Sequence, residues 1–273
     1  MIIKVLVENT SVSEEYGAEH GLSLYIETKK NKILFDVGAT ELFLKNAAKI
    51  GVNIADIDFL IVSHGHYDHG GGLKTFFQEN KKAKVFLHPL AFGKYYAARP
   101  TDKLEFIGID EGLKENKQIV FTSDSFSICD GVQLFSNVIA KEDPPKSNRG
   151  LLAQKNELIV NDSFDHEQNL IIQENGKTLL VTGCAHNGIV NIIKHFQEIN
   201  GYMPDYVIGG FHLYSASSGS EPPETVDSLA KYLLTTKIKF YTCHCTGIEA
   251  YERLKSIMGD SIDYLSAGGQ IKI

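Results

Sequence analysis

One ten-residue segment constrains the fold of this chain more than any other part of the sequence. The segment reads Ser63-His64-Gly65-His66-Tyr67-Asp68-His69-Gly70-Gly71-Gly72. It places three histidines and one carboxylate directly after Phe59–Ser63, an apolar run that reads as a short buried strand. Neutral imidazoles with an oxygen ligand suit zinc or a similar metal, and the glycines permit the sharp backbone that turns alternate residues toward one centre. The segment predicts a metal site at a strand end, in preference to a polar turn with incidental histidines.

The composition and the charge exclude several classes of protein. The chain has 273 residues, of which 43% are hydrophobic, 10% aromatic and 22% charged, and this composition excludes a disordered or fibrous protein. The 27 Lys and Arg and the 34 Asp and Glu give a formal net charge of −7. A surface of that sign repels phosphate backbones, and Lys29-Lys30 and Lys81-Lys82 are too short to form a basic patch. We therefore expect no nucleic-acid partner.

Nothing in the sequence predicts export or association with a membrane. Charged residues interrupt the apolar run Ile2–Glu8 too early for a signal peptide, and no run approaches the ~18 apolar residues of a membrane span. The four cysteines are Cys129, Cys184, Cys243 and Cys245. In a large chain without an export signal they are expected to be free thiols. The sequence thus predicts a cytoplasmic protein without a membrane partner.

Two stretches of alternating strands and helices organise the chain, and the less regular segment 89–167 separates them. In the first stretch we predict strands at Ile2–Glu8, Leu22–Thr28, Lys32–Asp36, Phe59–Ser63 and Val85–His88, and a helix at Thr40–Ile50. In the second we predict a hairpin of Leu170–Gln173 and Thr178–Thr182, strands at Tyr206–Gly209 and Lys239–Thr242, and helices at Gly188–Glu198, Pro223–Leu234 and Ile248–Met258. This order indicates an α/β protein in which two sheets pack together and helices cover them.

Four motifs give the chain a family resemblance. The pattern His-x-His-x-Asp-His at a strand exit resembles that of the metallo-β-lactamase superfamily. Three further motifs resemble the same superfamily, namely Ile33-Leu34-Phe35-Asp36-Val37-Gly38, Thr182-Gly183-Cys184-Ala185-His186 and Tyr241-Thr242-Cys243-His244-Cys245-Thr246-Gly247. Within it, the chain is more similar to a branch that contains the dihydropterin ribofuranosyl-aminobenzene phosphate synthases and metal-dependent hydrolases. The residues of that closer likeness are Glu19-His20-Gly21-Leu22-Ser23, Gly183-Cys184-Ala185-His186, Gly209-Gly210-Phe211-His212-Leu213 and His244-Cys245-Thr246-Gly247.

The resemblance implies a fold and a metal centre. The fold would be a four-layer αββα sandwich formed as one domain by residues 1–273, with 89–167 as an insertion that caps the substrate. The implied ligands are His64, His66 and His186 for one metal ion and Asp68, His69 and His244 for a second. Asp36 would orient the segment Ser63–Gly72, here called the metal loop, without binding metal. Zinc is the expected metal, as one or two ions, with iron or manganese as alternatives.

The chemistry of such a centre follows from two neighbouring cations. Cations about 3.5–4 Å apart can share a hydroxide and lower its pKa toward neutrality. That hydroxide would attack an ester or phosphoester centre, while Asp68 takes the released proton. Many members of the superfamily carry a bridging Asp at the exit of the strand that matches Tyr206–Gly209, and this chain has none there. His212 is the expected replacement, as a metal ligand or as a catalytic acid or base.

Several other residues are weaker candidates for the site. His20 lies in a loop before a strand, where its ring could reach over the metals and contact the substrate. Lys146 and Arg149 are cations of one loop and could bind a phosphate or carboxylate, although a solvated loop is the alternative. Cys184 could face the metals, but a small buried residue is the favoured interpretation. His166, just before a strand, could lie at the lip of the site.

The leading functional hypothesis is a metal-dependent hydrolase that acts on a small anionic molecule, such as a phosphorylated pterin-like metabolite. A synthase-type transferase is an alternative that the branch resemblance suggests. A mononuclear iron oxygenase is another, because related sites use overlapping ligands with iron and dioxygen. A metal-binding or redox-partner protein without turnover is the last. Elemental analysis separates these classes, because about two zinc ions per chain exclude iron chemistry.

Overall fold

The computed structural model describes residues 1–99 and 103–273. In chain order its strands are β1 (Ile2–Val7), β2 (Ser23–Glu27), β3 (Lys32–Phe35), β4 (Phe59–Ile61), β5 (Lys84–Leu87), β6 (Tyr95–Ala98), β7 (Leu104–Phe106), β8 (Ile119–Phe121), β9 (Ser125–Cys129), β10 (Val132–Phe135), β11 (Leu151–Lys155), β12 (Leu158–Asn161), β13 (Asn169–Glu174), β14 (Lys177–Val181), β15 (Tyr206–Gly209), β16 (Tyr214–Ser215), β17 (Gly219–Ser220), β18 (Lys239–Thr242), β19 (Ile262–Tyr264) and β20 (Gln270–Lys272). Its helices are α1 (Leu42–Lys49), α2 (Tyr67–Gly70), α3 (Leu73–Glu79), α4 (Ile189–Asn200), α5 (Pro223–Thr235) and α6 (Ile248–Met258).

Two seven-stranded sheets pack face to face, and helices cover their outer faces. The strand order is β20-β1-β2-β3-β4-β5-β8 in the first sheet and β19-β18-β15-β14-β13-β10-β9 in the second. Side chains along a strand alternate between two apolar layers, as the pleat requires. In β3, Ile33 and Phe35 lie between the sheets, whereas Leu34 packs with α1 and α3 on the outer face. A further apolar layer joins the second sheet to α4, α5 and α6, which confirms the predicted αββα sandwich.

The predicted helices of the second half match the structure closely. The helix predicted at Pro223–Leu234 is α5, and the one predicted at Gly188–Glu198 is α4, which ends at Gly201 in a left-handed conformation. The turn Asn175-Gly176 joins the antiparallel strands β13 and β14, as expected for a hairpin. Within the described parts of the chain, no helix has the length and apolar character that crossing a membrane requires.

Parallel pairing brings the functional loops to one edge of the sandwich. β3, β4 and β5 are parallel neighbours in the first sheet, and β14, β15 and β18 are parallel neighbours in the second. Parallel strands of one sheet end at the same edge, and side chains that follow those ends lie together in the crevice outside them. The segment that follows β4 carries the histidine motif, and those that follow β14, β15 and β18 carry His186, His212 and His244.

The segment 89–167 contributes to more than one structural unit. Its strands β8, β9 and β10 lie at the edges of the two large sheets, whereas β6, β7, β11 and β12 form a separate four-stranded sheet. A small apolar cluster that includes Tyr95, Leu151 and Phe164 packs this small sheet against Tyr67 of the metal loop. The division into one domain with a substrate-capping insertion stays a prediction. The strands of 89–167 that pair with the main sheets would not belong to such a cap.

Candidate metal centre

Three histidine rings form the first of two adjacent subsites at the exit of β4. His64 Nε2 lies 3.1 Å from His66 Nδ1, and one ring nitrogen of each lies within 4.8 Å of a ring nitrogen of His186. His186 comes from the second sheet, so its presence here depends on how the two sheets pack. All three rings are buried, and His186 Nε2 has no hydrogen-bond partner among the described residues. The structure thus brings together the three side chains predicted to hold the first ion.

Asp68, His69 and His244 form the second subsite. His244 Nε2 lies 3.2 Å from His69 Nε2 and 3.3 Å from Asp68 Oδ2, while His69 Nε2 lies 3.7 Å from the same oxygen. The ring centroids of His64 and His69 are 4.2 Å apart, so the two subsites adjoin. All six predicted ligands therefore converge on one edge of the sandwich. Their role in binding metal remains a proposal.

Oxygen acceptors fix the direction of four of the histidine rings. The Nδ1 atoms lie 2.8 Å from Ser63 Oγ for His64, 2.7 Å from Asp36 Oδ2 for His69, 2.9 Å from Asn148 Oδ1 for His186 and 2.8 Å from Asn9 Oδ1 for His244. Such an acceptor holds the ring proton on Nδ1, so the lone pair of Nε2 points toward the subsites. This arrangement fits a divalent ion, because neutral imidazoles bind metal through an unprotonated nitrogen.

Asp36 connects the metal loop to the end of β3. It is fully buried, and its Oδ1 accepts a hydrogen bond of 2.7 Å from the backbone N–H of Ser63. Its Oδ2 accepts hydrogen bonds of 2.8 Å from Ser63 Oγ and 2.7 Å from His69 Nδ1. These contacts are the ones expected of a carboxylate that orients the loop from outside the ligand set.

Asp36→Ala is expected to weaken metal binding by about 10–100-fold, because His69 would lose the acceptor that orients its ring. The substitution also leaves the buried N–H of Ser63 without its acceptor, which costs about 1–3 kcal/mol of folding stability. Competition with a chromophoric chelator measures the affinity, and Asp36→Asn, which keeps one acceptor oxygen, is the matched control. Unchanged metal retention in Asp36→Ala would show that Asp36 does not position the loop.

Strained backbone conformations cluster at the strand ends around the subsites. Asp36, Ala185, His212 and His244 have positive φ values of 61°, 56°, 47° and 54°. Such conformations cost of order 1–3 kcal/mol each in non-glycine residues, and they persist where the surrounding structure and the function require them. Among the described residues, these four are part of a set of ten non-glycine residues with positive φ, and each of the four follows a strand end beside the subsites.

Charges within the centre favour metal binding. Burial and the neighbouring histidines lower the pKa of His64 and His186 well below the ordinary value, so both rings are neutral at pH 7. Burial alone would lower the pKa of His69, but Asp36 and Asp68 outweigh it and raise the pKa to about 9. Burial would raise the pKa of Asp68, but His69, His20 and His244 hold it well below the usual range. A cation at the second subsite would replace the proton that His69 otherwise carries.

His212 and two thiols complete the lining of the centre. The His212 ring lies 4.2 Å from that of His186, and both of its buried nitrogens lack a hydrogen-bond partner within the described chain. The side chain therefore faces the subsites, as the sequence predicts, although its role stays open. Cys184 and Cys245 are buried beside them, and Cys184 Sγ lies 3.2 Å from His69 Nε2.

The centre opens into a cavity of about 510 Å³ between the sandwich and the small sheet. His20 lies at its rim with 58% of its side chain exposed, and its Nε2 is 3.2 Å from Asp68 Oδ2. The two predicted loop cations, Lys146 and Arg149, line a neighbouring cavity instead. Among the described residues, the Lys or Arg side chain that lines the metal cavity is Arg99, which is not one of the predicted residues. A role for Lys146 and Arg149 in binding substrate stays a prediction.

The supporting contacts of Asp162, His166 and Glu8 with the centre were not predicted. His166 accepts a hydrogen bond of 2.9 Å from the N–H of Gly65, and its Nε2 lies 3.0 Å from Asp162 Oδ2. His166 therefore lies beneath the loop and not at the lip of the site. Glu8 accepts a hydrogen bond of 2.6 Å from the backbone N–H of His244. The signal that could have indicated this role of Glu8 is its position as an acidic residue at the end of an apolar strand, because a buried carboxylate must be paired.

Comparison with known proteins identifies the family. The sequence model of the metallo-beta-lactamase superfamily matches residues 16–113. The chain is 32% identical over 273 residues to 7,8-dihydropterin-6-methyl-4-(beta-D-ribofuranosyl)-aminobenzene-5'-phosphate synthase of Methanocaldococcus jannaschii, covering 94% of this chain and 91% of that protein. It is 30% identical over 264 residues to an uncharacterized protein of the same organism, covering 94% of each. The crystal structure of Tm1679, a metal-dependent hydrolase of the beta-lactamase superfamily, aligns with a TM-score of 0.84 and 27% identity over 100% of this chain and 99% of that chain. The chain therefore belongs to the metallo-β-lactamase superfamily.

Proposed function

We propose that this protein is a metal-dependent hydrolase that cleaves an ester- or phosphoester-type bond in a small anionic metabolite. The observation that carries the proposal is the pair of adjoining subsites, whose ligand-type atoms come from both sheets and lie beside one cavity. Divalent ions bound there lower the pKa of water toward neutrality and stabilise negative charge on the reacting oxygen. Zinc is the ion we propose, because imidazole nitrogen with carboxylate oxygen suits it.

Asp68 and His20 are suited to carry the proton that attack by water releases. Asp68 lines the cavity, and its Oδ2 lies 3.2 Å from His20 Nε2. The carboxylate would take up the proton transiently and pass it to the imidazole of His20, whose pKa is lowered by burial but raised overall by Asp68. Because His20 is half exposed at the rim, it offers a path for that proton from Asp68 to solvent.

The cavity walls suit a metabolite that carries both an apolar part and an anionic group. Tyr67, Ile107, Leu151 and Tyr214 contribute aromatic and aliphatic surface. Arg99 lies on the same wall, where its Nε donates a hydrogen bond of 2.6 Å to Glu105 Oε2. A guanidinium binds phosphate or carboxylate through paired N–H groups. A cavity of about 510 Å³ is also in the size range of sites for small molecules.

Arg99→Ala is expected to raise KM for an anionic substrate by roughly 10–100-fold, the equivalent of one hydrogen bond to a charged group. Turnover at saturation should change little, because the side-chain partners of Arg99 are Glu105 and Ser217 and not the predicted metal ligands. Steady-state kinetics on an anionic substrate and on a neutral ester of similar size test this. An equal effect on both substrates would contradict the role, and Arg253→Ala, which removes an exposed ion pair with Asp227 outside the cavity, serves as the control.

The experiment that tests the proposed function measures metal content and turnover together. The zinc-loaded protein is incubated with a phosphodiester, a phosphomonoester, a carboxylic ester and a phosphorylated dihydropterin. About two zinc ions per chain with chelator-sensitive hydrolysis supports the proposal. Bound iron with consumption of dioxygen would indicate the oxygenase instead, and a metal-loaded protein that turns over none of these would indicate a non-catalytic protein.

A synthase-type transferase is the second candidate, and the 32% identity with the archaeal synthase favours it. The same subsites would then activate a bond between two substrates rather than a water molecule. Incubation with a 7,8-dihydropterin that carries a leaving group on its 6-methyl carbon and with the 5′-phosphate of 4-(β-D-ribofuranosyl)-aminobenzene, whose amine would displace that group, followed by mass spectrometry, distinguishes the two reactions. A joined product supports the transferase, whereas separate products of cleavage support the hydrolase.

A further inference from the structure

The geometry points to Cys184 as a fourth ligand of the second metal subsite, binding as a thiolate beside Asp68, His69 and His244. Its Sγ lies 3.2 Å from His69 Nε2, and within the described residues it belongs to three separate groups of ligand-type atoms that lie within 4.8 Å of one another. This inference rests on the proposed metal centre but not on the reaction proposed for it.

The spacing of the four donor atoms matches a tetrahedral zinc site. Donors about 2.0–2.3 Å from a tetrahedral zinc ion are separated from one another by about 3.3–3.6 Å. Around His69 Nε2, the distances are 3.2 Å to His244 Nε2, 3.2 Å to Cys184 Sγ and 3.7 Å to Asp68 Oδ2. His244 Nε2 is 3.3 Å from Asp68 Oδ2. Two nitrogens and one oxygen thus lie at separations close to those of a tetrahedral site, and Cys184 Sγ lies 3.2 Å from one of these nitrogens and within 4.8 Å of a ring nitrogen of His244.

Charge supports the same assignment. Among the six predicted ligands, Asp68 is the one carboxylate, so two divalent ions in this buried site would be poorly neutralised. The thiol of Cys184 would lose its proton to solvent on binding the ion and supply a second negative charge. With Asp68 and Cys184 both anionic, the second ion would be electrically balanced by its own ligands.

A close approach of two strand ends brings Cys184 over the metal loop. A Cβ atom on Gly183 would lie 2.3 Å from Ser63 Oγ and 3.2 Å from His64 Nδ1, so only glycine allows this contact. The left-handed turn at Ala185 follows, and it leaves Cys184 Sγ within 4.8 Å of ligand atoms of both subsites, 3.2 Å from His69 Nε2 of the second. The sequence Gly183-Cys184-Ala185-His186 thus supplies one donor to each ion.

His20 and Cys245 are the rivals for the fourth position. His20 Nε2 approaches Asp68 Oδ2 at 3.2 Å, but its ring is half exposed and its Nδ1 lies 3.4 Å from Asn9 Nδ2. Cys245 Sγ donates to the carbonyl oxygen of Cys184 at 3.6 Å, so it already has a partner. Cys184 Sγ has its contact with a ligand nitrogen, which favours it over both.

This ligand set gives the second ion a structural role and the first ion a catalytic one. Structural zinc sites have four protein ligands, whereas catalytic ones keep a position open. The second subsite would be closed by four side chains of this chain, and the first, with three histidines, would keep the open position. Thiolate ligation also favours zinc over manganese at the second subsite.

Cobalt(II) substitution tests the inference without any activity assay. The metal-free wild-type protein is titrated with cobalt(II), and a thiolate-to-cobalt charge-transfer band in the near ultraviolet is expected to rise with the thiolate-bound ion. Cys184→Ser should abolish the band and weaken binding of that ion by about tenfold or more. Even residues that only hydrogen-bond to metal ligands change the metal affinity by about 10–100-fold. Cys243→Ser is the matched control, since Cys243 is equally buried but packs between the sheets.

A second variant protects the test against misfolding of Cys184→Ser. Serine at positions 129, 243 and 245 leaves Cys184 as the sole thiol, and this variant should retain the band. X-ray absorption of the zinc-loaded wild type should also show a sulfur neighbour at about 2.3 Å. Cobalt uptake without the band, or a band lost only in Cys245→Ser, would overturn the inference and leave the proposed function standing. No uptake by the wild type would overturn both.

Discussion

Asp68→Asn is expected to lower turnover of the zinc-loaded protein by about 10²–10⁴-fold, the usual loss when a positioned acid or base is removed. Asparagine keeps the size of the side chain, but its neutral amide does not take up a proton and is a weaker ligand than a carboxylate. The negative charge of Asp68 acts on two neighbouring histidines, because its Oδ2 lies 3.3 Å from His244 Nε2 and 3.2 Å from His20 Nε2.

Turnover of Asp68→Asn must be measured at saturating zinc, with metal content determined on the same sample. That design separates loss of the ion from loss of the proton acceptor. Asp165→Asn is the matched control, because Asp165 is an exposed residue that pairs with Lys155 at 3.3 Å outside the metal cavity. Wild-type turnover in Asp68→Asn would remove Asp68 from the proposed mechanism.

His212→Ala is expected to lower turnover by about 10²–10⁴-fold on substrates whose leaving group needs a proton. The structure gives the reason, because both ring nitrogens are buried beside His186 and have no partner among the described residues. A nitrophenyl ester, whose leaving group departs without a proton, should be affected far less. This contrast identifies an acid, since loss of a metal ligand would slow both substrates equally.

Metal analysis of the same variant separates the two roles of His212. Loss of one metal equivalent indicates a ligand, and full metal content indicates the acid. His195→Ala on α4 is the control, because its ring packs 5.5 Å from Phe135, away from the metal cavity. Full metal content with full activity in His212→Ala would mean that this histidine is merely structural.

The sequence predicts two packed sheets covered by helices from local signatures, and the meeting of the six ligand-type side chains from its resemblance to the metallo-β-lactamase superfamily. A continuous apolar run identifies β3, and the dense histidine motif falls at a strand end where parallel strands gather functional loops. The contacts of Asp36 with Ser63 and His69 could likewise be expected, since a carboxylate that ends an apolar strand must be paired.

Features that depend on distant packing could not be read in the same way. The segment Asp162-Ser163-Phe164-Asp165-His166 has no recognisable ligand spacing, and the fold alone brings His166 beneath Gly65. Charge alone also did not single out Arg99. Lys146 and Arg149 line the neighbouring cavity, whereas Arg99, directly after β6 of the small sheet, lines the metal cavity.

The predicted ligands come from segments of both sheets, and this affects the rate at which the folded protein unfolds. An ion shared by the loop after β4 and the turns after β14 and β18 would connect parts of the chain that are distant in sequence, and contacts of this kind form late in folding. Interactions absent from the folding transition state slow unfolding rather than accelerate folding. A free ion at 100 times its dissociation constant adds about 2.7 kcal/mol to the native state. Dissociation of the metal would then limit the rate of unfolding, and with it the rate at which proteases degrade the protein. The concentration of metal in the cell would therefore affect how much of the protein is present.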